Sequence, residues 1–197
     1  MSYEVEIKAR IDAKQIEGLK KKFSSLEGTQ ILGDVRKEDT YFAVHETDHQ
    51  LFRVRLQSIG GVEDVLVTSK PLRTYEGTEI NKELEFHGKA SESDTIKEFF
   101  KSLGYVVCLT KLKTGWSCVT PKNDFEVIVE IFKVDVIGYF LEMEITSIQS
   151  CETPEDDAMI SKAQKALVAL LEDVGISERS IETKSYRSMI LEARAES

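Results

Sequence analysis

Five like-charged pairs, each separated by one apolar residue, carry the chemistry this chain can do. Glu4 and Glu6 flank Val5, with Lys8 two further on; Arg53 and Arg55 flank Val54, and Glu83 and Glu85 flank Leu84. Lys111 and Lys113 flank Leu112, and Glu142 and Glu144 flank Met143. Alternate side chains of a β-strand share a face, so the members of each pair stand together while the apolar residue points away. Like charges on one strand face repel, and a face built only for solubility mixes its signs. Strands that are each nearly pure in sign, yet balanced as a set, make sense when they face one another across an enclosed space. Clustered carboxylates are hard oxygen ligands for Mg²⁺ or Mn²⁺. Arginine pairs grip phosphate oxygens in a fork, and lysines, including Lys70, act as point charges. Metal and a cationic wall together are equipment for a polyphosphate, and the implied ligand is a linear triphosphate.

The elements that position these residues are mostly strands. Strand signals cover Glu4–Lys8, Gln30–Phe42, Leu51–Leu56, Val62–Lys70, Glu79–Phe86, Tyr105–Lys113, Trp116–Val119, Phe125–Val134 and Tyr139–Thr146, with a Gly60-Gly61 turn and a polar loop over Leu72–Gly77. Helical spacing marks a segment after Asp12 (Ile16, Leu19, Phe23, Leu26), Ser91–Leu103, Thr153–Val174 and about Lys184–Ala193. The expected fold is α+β: an antiparallel barrel, charged inside, apolar outside and covered by helices. His45-Glu46-Thr47-Asp48-His49 matches H-E-x-x-H, but a zinc protease needs that motif on a helix, and here it falls between strands and reads as a hairpin loop.

The 197 residues fit one domain spanning 1–197, and no run approaches a membrane span or a signal peptide, so the expectation is a cytoplasmic protein. A formal charge of −9 argues against broad nucleic-acid binding while leaving room for a small anion in a locally basic cleft. Cys108, Cys118 and Cys151 have no metal-type spacing and read as reduced thiols. Trp116 reads as a packed aromatic and His87 as a surface residue. Ser117 and Ser185 lack the partners of a serine hydrolase.

In order along the chain, Glu4-Val5-Glu6-Ile7-Lys8, Asp39-Thr40-Tyr41-Phe42, Leu51-Phe52-Arg53-Val54-Arg55, Lys70, Glu83-Leu84-Glu85, Lys111-Leu112-Lys113, Gly138 to Glu144 and Lys184-Ser185-Tyr186 resemble the CYTH superfamily, the triphosphate tunnel metalloenzymes. The resemblance implies an eight-stranded antiparallel tunnel, closed or nearly closed, with divalent metal on Glu4, Glu6, Glu142 and Glu144. It implies phosphate binding by Lys8, Arg53, Arg55, Lys70, Lys111, Lys113 and Lys184. Lys8, with Glu83 or Glu85 orienting phosphate or water, would carry catalysis. Two departures stand out. Lys113 replaces a family arginine, and Phe132 occupies the place of a metal-binding aspartate, for which Glu130, two residues earlier on the same strand face, is the expected substitute.

These residues serve a metal-dependent triphosphatase acting on tripolyphosphate, thiamine triphosphate or a nucleoside triphosphate. They serve equally a class IV adenylyl cyclase converting ATP to cyclic AMP and pyrophosphate. A polyphosphate-binding module without turnover is the third reading, suggested by Phe132. The expected partner is a triphosphate-bearing small molecule, with no nucleic acid or membrane, and a homodimer is open.

Overall fold

Strands alternating ionic and apolar residues dominate the fold. A computed structural model describes residues 2–46, 49–69, 72–75, 78–82, 84–149 and 154–196, with the backbone alone at 2–3, 72–75, 78–82, 147–149 and 154–157. The chain runs through β1 (Ser2–Ile11), α1 (Ile16–Ser24), β2 (Gln30–Ala43), β3 (Phe52–Ile59), β4 (Val62–Ser69), β5 (Leu72–Tyr75), β6 (Thr78–Lys82) and β7 (Leu84–Lys89). It continues through α2 (Ser93–Ser102), β8 (Val106–Lys122), β9 (Phe125–Val134), β10 (Gly138–Gln149), α3 (Pro154–Asp173) and α4 (Tyr186–Ala195).

The described ladders are antiparallel and join one sheet in the order β5-β6-β1-β10-β9-β8-β2-β3-β4-β7. β6 pairs with β1 and β7 with β4, yet β6 ends at Lys82 and β7 starts at Leu84. Covalent chain therefore joins the two sides of the sheet, and the sheet curls into a tunnel without a closing ladder among the described residues. With β6 and β7 taken as the one strand expected over Glu79–Phe86, and β5 set apart, the wall has the eight strands expected from the sequence. β5 itself departs from expectation, because residues 72–75 of the supposed polar loop pair with β6. β8 is likewise one continuous strand where two were expected.

Gly60 and Gly61 turn β3 into β4 with φ of +58° and +85°, the two left-handed positions of a type I′ hairpin turn. Gly115 answers a different need. A Cβ there would lie 2.0 Å from the Ile131 carbonyl oxygen and 2.6 Å from Phe132 Cα, so β8 and β9 approach closely only because this residue has no side chain. Gly115→Ala is expected to cost about 1–3 kcal/mol or more through overpacking, read as a lower urea midpoint. An unchanged midpoint would mean that the strands do not approach so closely.

The apolar faces of β1, β8, β9 and β10 bury Val5, Ile7, Cys118, Val129, Ile131 and Met143 against Leu19 and Phe23 of α1 and Ile160, Ala163, Leu167, Leu170 and Leu171 of α3. Each large aliphatic side chain buried here contributes about 1.5–3 kcal/mol of transfer free energy. α2 covers Phe42, Val54 and Val65 with Ile96 and Phe100. α4 is placed differently: Met189 and Ile190 pack against Leu109, Phe132, Val134 and Phe140, which share strand parity with the charged residues, so α4 stops one end of the tunnel. Among the described residues no helix is long and apolar enough to cross a membrane.

Candidate functional site

Strand parity carries the ionic side chains inward. A cavity of about 480 Å³ is lined by Glu4, Glu6, Glu142 and Glu144 from β1 and β10, Glu130 from β9, Lys111 and Lys113 from β8, Lys37 from β2, Arg53 and Arg55 from β3, Glu85 from β7 and Arg187 from α4. Register decides which of them meet. Glu6 lies opposite Glu144 across β1 and β10, and Glu142 lies between Lys8 and Glu130. Asp39 lies between Arg55 and Lys111.

Asp39 is wholly buried, and both its oxygens are taken. Arg55 donates from Nε to Oδ1 at 2.6 Å and from Nη2 to Oδ2 at 3.0 Å; Lys111 Nζ stands 3.0 Å from Oδ2, and the Tyr41 hydroxyl donates to the same oxygen at 3.2 Å. Burial alone would raise the Asp39 pKa, but Arg55, Lys111 and Arg53 together hold it well below the usual carboxylate value. Burial raises the Tyr41 hydroxyl, and Asp39 adds to that shift. Lys113 donates to Glu142 Oε2 at 2.6 Å. Burial pushes the Lys113 ammonium down to about 8 against the pull of Glu142, with Lys111 and Arg55 adding to the push. Burial also lowers Lys111. Two lysines whose charged forms burial disfavours, set beside two arginines, make a place suited to an added anion.

At the closed end, the Tyr186 ring lies 4.7 Å from Lys111 Nζ, 4.5 Å from Lys113 Nζ and 5.6 Å from Lys8 Nζ. Lys113 also lies 4.1 Å from the Phe132 ring. The aromatic faces give the desolvated ammonium groups a weak counter-charge. On the opposite wall Arg53 Nη2 donates to Thr68 Oγ1 at 3.4 Å, and Thr68 donates to Glu85 Oε1 at 2.9 Å, so Glu85 steadies the arginine through a hydroxyl.

The structure thus brings together Glu4, Glu6, Arg53, Arg55, Glu85, Lys111, Lys113, Glu130, Glu142 and Glu144. Lys8 is buried on the same strand face, beside Tyr186 and opposite Glu142. Lys184 is not brought in: its exposed ammonium pairs with Glu192 of α4 at 2.8 Å. Lys70 and Glu83 lie outside the described residues, as do Thr47 and Asp48 of the H-E-x-x-H segment, whose His45 and Glu46 follow β2 in a bend and turn. Cys118 is buried and its thiol pushed up to about 12 by burial, which leaves it unreactive. Lys37, Thr68, Ser117 and Arg187 were not singled out as site residues from sequence. Strand parity is a signal for three of them, Lys37 with Asp39 and Tyr41, Thr68 with Lys70, and Ser117 with Lys111 and Lys113 along β8; Arg187 has none beyond tertiary position.

By chemical type the donors suit a divalent cation. They offer carboxylate oxygens only, and Glu6 shares a hydrogen bond with Glu142. Burial would raise Glu142, but Lys113 and that hydrogen bond bring it below its usual range. Two carboxylates this close need a proton or a cation between them. Among the described residues no three His, Cys, Asp or Glu side chains stand in positions that would hold a metal ion, and Glu142 and Glu130 each place an oxygen on a lysine.

The chain is thus an antiparallel tunnel with carboxylates mostly on the β1, β10 and β9 side and guanidinium and ammonium groups mostly on the β8, β2 and β3 side. The CYTH domain profile matches residues 2–186, and the chain belongs to the CYTH family, whose members are typically enzymes. Among solved structures it is similar to the protein PH1819 of Pyrococcus horikoshii, at 22% identity and a TM-score of 0.72 over 96% of this chain and 98% of that one. It is similar to a candidate adenylate cyclase of Vibrio parahaemolyticus, at 16% identity and a TM-score of 0.73 over 96% and 98%. It is also similar to HpAC1 of Hippeastrum, a protein proposed as an adenylyl cyclase and described as having a dominant triphosphatase activity, at 12% identity and a TM-score of 0.62 over 98% and 96%. No curated protein matches the chain.

Proposed function

We propose that the protein is a divalent-metal-dependent phosphohydrolase of a linear triphosphate held inside the tunnel. The observation that carries this reading is the cavity of about 480 Å³ lined at once by Arg53, Arg55, Lys111 and Lys113 and by Glu4, Glu6, Glu142 and Glu144. The two sets of opposite charge share one cavity, cations mostly from β8 and β3 and carboxylates mostly from β1 and β10. A metal-bound triphosphate satisfies both at once, because its oxygens meet the arginines and lysines while its cation meets the carboxylates.

Glu4, Glu6, Glu142 and Glu144 would hold Mg²⁺ or Mn²⁺, which when bound supplies charge neutralisation on the phosphate oxygens. Arg53 and Arg55 grip equatorial oxygens in fixed geometry, Arg55 locked by Asp39 and Arg53 by Thr68 and Glu85. Lys111 and Lys113 give up weak aromatic contacts for phosphate oxygens and stabilise charge on the leaving diphosphate. Lys8 adds charge from the closed end. Glu85, which lines the cavity, would orient a water for attack on the terminal phosphorus. Attack by water demands fewer special groups than cyclisation, which needs a ribose hydroxyl held in line.

The test is incubation of purified protein with tripolyphosphate, thiamine triphosphate and ATP in Mg²⁺ or Mn²⁺, with phosphate, pyrophosphate and cyclic AMP measured separately. Phosphate release that stops on chelation is expected. Cyclic AMP with stoichiometric pyrophosphate would replace hydrolysis by the class IV cyclase reaction, and tight binding without product would make the tunnel a binding module.

A further inference from the structure

We propose that the substrate is an organic triphosphate, bound with its terminal phosphate toward α4 and its organic group in a mouth formed by Leu32, Gln57, Ile59, Ser117 and Ile128. The proposal rests on the triphosphate reading above and narrows its substrate class. Each of these side chains lines the same cavity as the arginines and lysines, and none of them is charged.

The inward rows of the strands lose their cations toward one end. β3 carries Arg53 and Arg55, then Gln57 and Ile59. β8 carries Lys111 and Lys113, then Gly115, which has no side chain, and Ser117. This order has a direction in the tunnel. Arg53 pairs with Tyr41, Tyr41 pairs with Leu109, and Leu109 packs on α4, so the cationic end is the α4 end. β9 runs the same way, from Val134 and Phe132 under α4 to Glu130 and then Ile128. The charge nearest Ile128 across β10 is a carboxylate, that of Glu144. Tripolyphosphate is charged at both of its ends, whereas the cavity is cationic at one. An organic triphosphate has the matching asymmetry. Glu85, joined to Arg53 through Thr68, stands at the same end as the terminal phosphorus that its water would attack.

Two features of the mouth point to a ligand. Leu32, Ile59 and Ile128 are only half-buried although they line a cavity, so an apolar group laid on them removes hydrocarbon from water. Ser117 is 0% exposed, and its Oγ has no hydrogen-bond partner. Its neighbour across β9 is Glu130, which holds Lys37 at 2.5 Å, and Ile128 lies diagonal to it. A buried hydroxyl left unpaired costs free energy that a polar atom of the ligand recovers, and it both donates and accepts. The organic group is therefore apolar in body with at least one hydrogen-bonding atom.

The experiment is calorimetric titration with tripolyphosphate, ATP and thiamine triphosphate, the divalent ion being chelated so that no product forms. In wild type at least one organic compound is expected to bind as tightly as tripolyphosphate. Ile59→Asn and Ile128→Asn, on separate strands, are each expected to lower the ratio of organic to inorganic affinity about tenfold. Ser117→Ala is expected to lower it by about three- to tenfold. Leu51→Asn, beside Arg53 at the α4 end of the cavity, is expected to leave the ratio within about twofold. Three results would each overturn the proposal: tripolyphosphate binding about tenfold tighter than both organic compounds in wild type, a ratio unmoved in the folded mouth variants, or one moved by Leu51→Asn instead. If the asparagine variants fail to fold, wild type and Ser117→Ala decide. Failure of all three compounds to bind, with or without Mg²⁺, would sink the triphosphate reading itself, an outcome distinct from tight binding of tripolyphosphate alone.

Discussion

Asp39→Asn is expected to remove about 3–5 kcal/mol of folding stability, the usual cost of taking one partner from a buried ion pair. For a chain of this size that is a fall of roughly 6–20 °C in melting temperature. The substitution keeps the shape and a hydrogen-bonding oxygen, so packing is nearly untouched. What it takes away is the charge opposing Arg55 and Lys111, which stay buried at 8% and 6% exposure. The pH dependence gives a second handle. The folded-state pKa of Asp39 is depressed, so its contribution is complete above the unfolded value of about 4 and is lost as pH falls from there toward the folded value. The stability gap between wild type and Asp39→Asn, measured by urea unfolding, should therefore be flat from pH 7 down to about 5 and narrow below about 4. A gap as wide at pH 3 as at pH 7 would show that the loss comes from something other than the Asp39 charge.

Glu6→Gln is expected to act the other way round: a large loss of activity with little or no loss of stability. Glu6 sits at the seam of β1 and β10, opposite Glu144 and hydrogen-bonded to Glu142. Removing one charge from crowded carboxylates relieves repulsion in the empty protein, so the melting temperature should hold or rise slightly. The same change removes a ligand from the ion that neutralises the triphosphate. Groups that merely support a metal ligand are worth about 10–100-fold in affinity or activity, so loss of a ligand should cost at least about 100-fold in kcat/KM. Steady-state hydrolysis and Mn²⁺ affinity should fall together. Full activity in Glu6→Gln would remove the β1/β10 seam from the metal site and, with it, the reason for reading the tunnel as a metal-dependent hydrolase. Such a trade between stability and activity is expected where a site gathers like charges for its ligand.

Much of this site was legible from local sequence because a strand has a period of two. Glu4 and Glu6, Arg53 and Arg55, Lys111 and Lys113, and Glu142 and Glu144 each had to share a face, and Val5, Val54, Leu112 and Met143 had to share the other. The Gly60-Gly61 turn and the helices over Ile16–Ser24, Ser93–Ser102 and Tyr186–Ala195 followed from equally local rules of backbone freedom and helical spacing.

Partnerships across strands were not legible in this way. That Asp39 falls between Arg55 and Lys111, that Lys37 reaches Glu130, and that Lys184 turns out to Glu192 depend on register and on where α4 ends the tunnel. The split of the segment expected as one strand into β6 on β1 and β7 on β4 depends on the curl of the whole sheet. Which charges point inward follows from local chain order, since side-chain direction repeats every two residues along one strand. Which charge meets which is a matter of register between strands, fixed by the shear and curl of a sheet whose neighbours lie far apart in the chain.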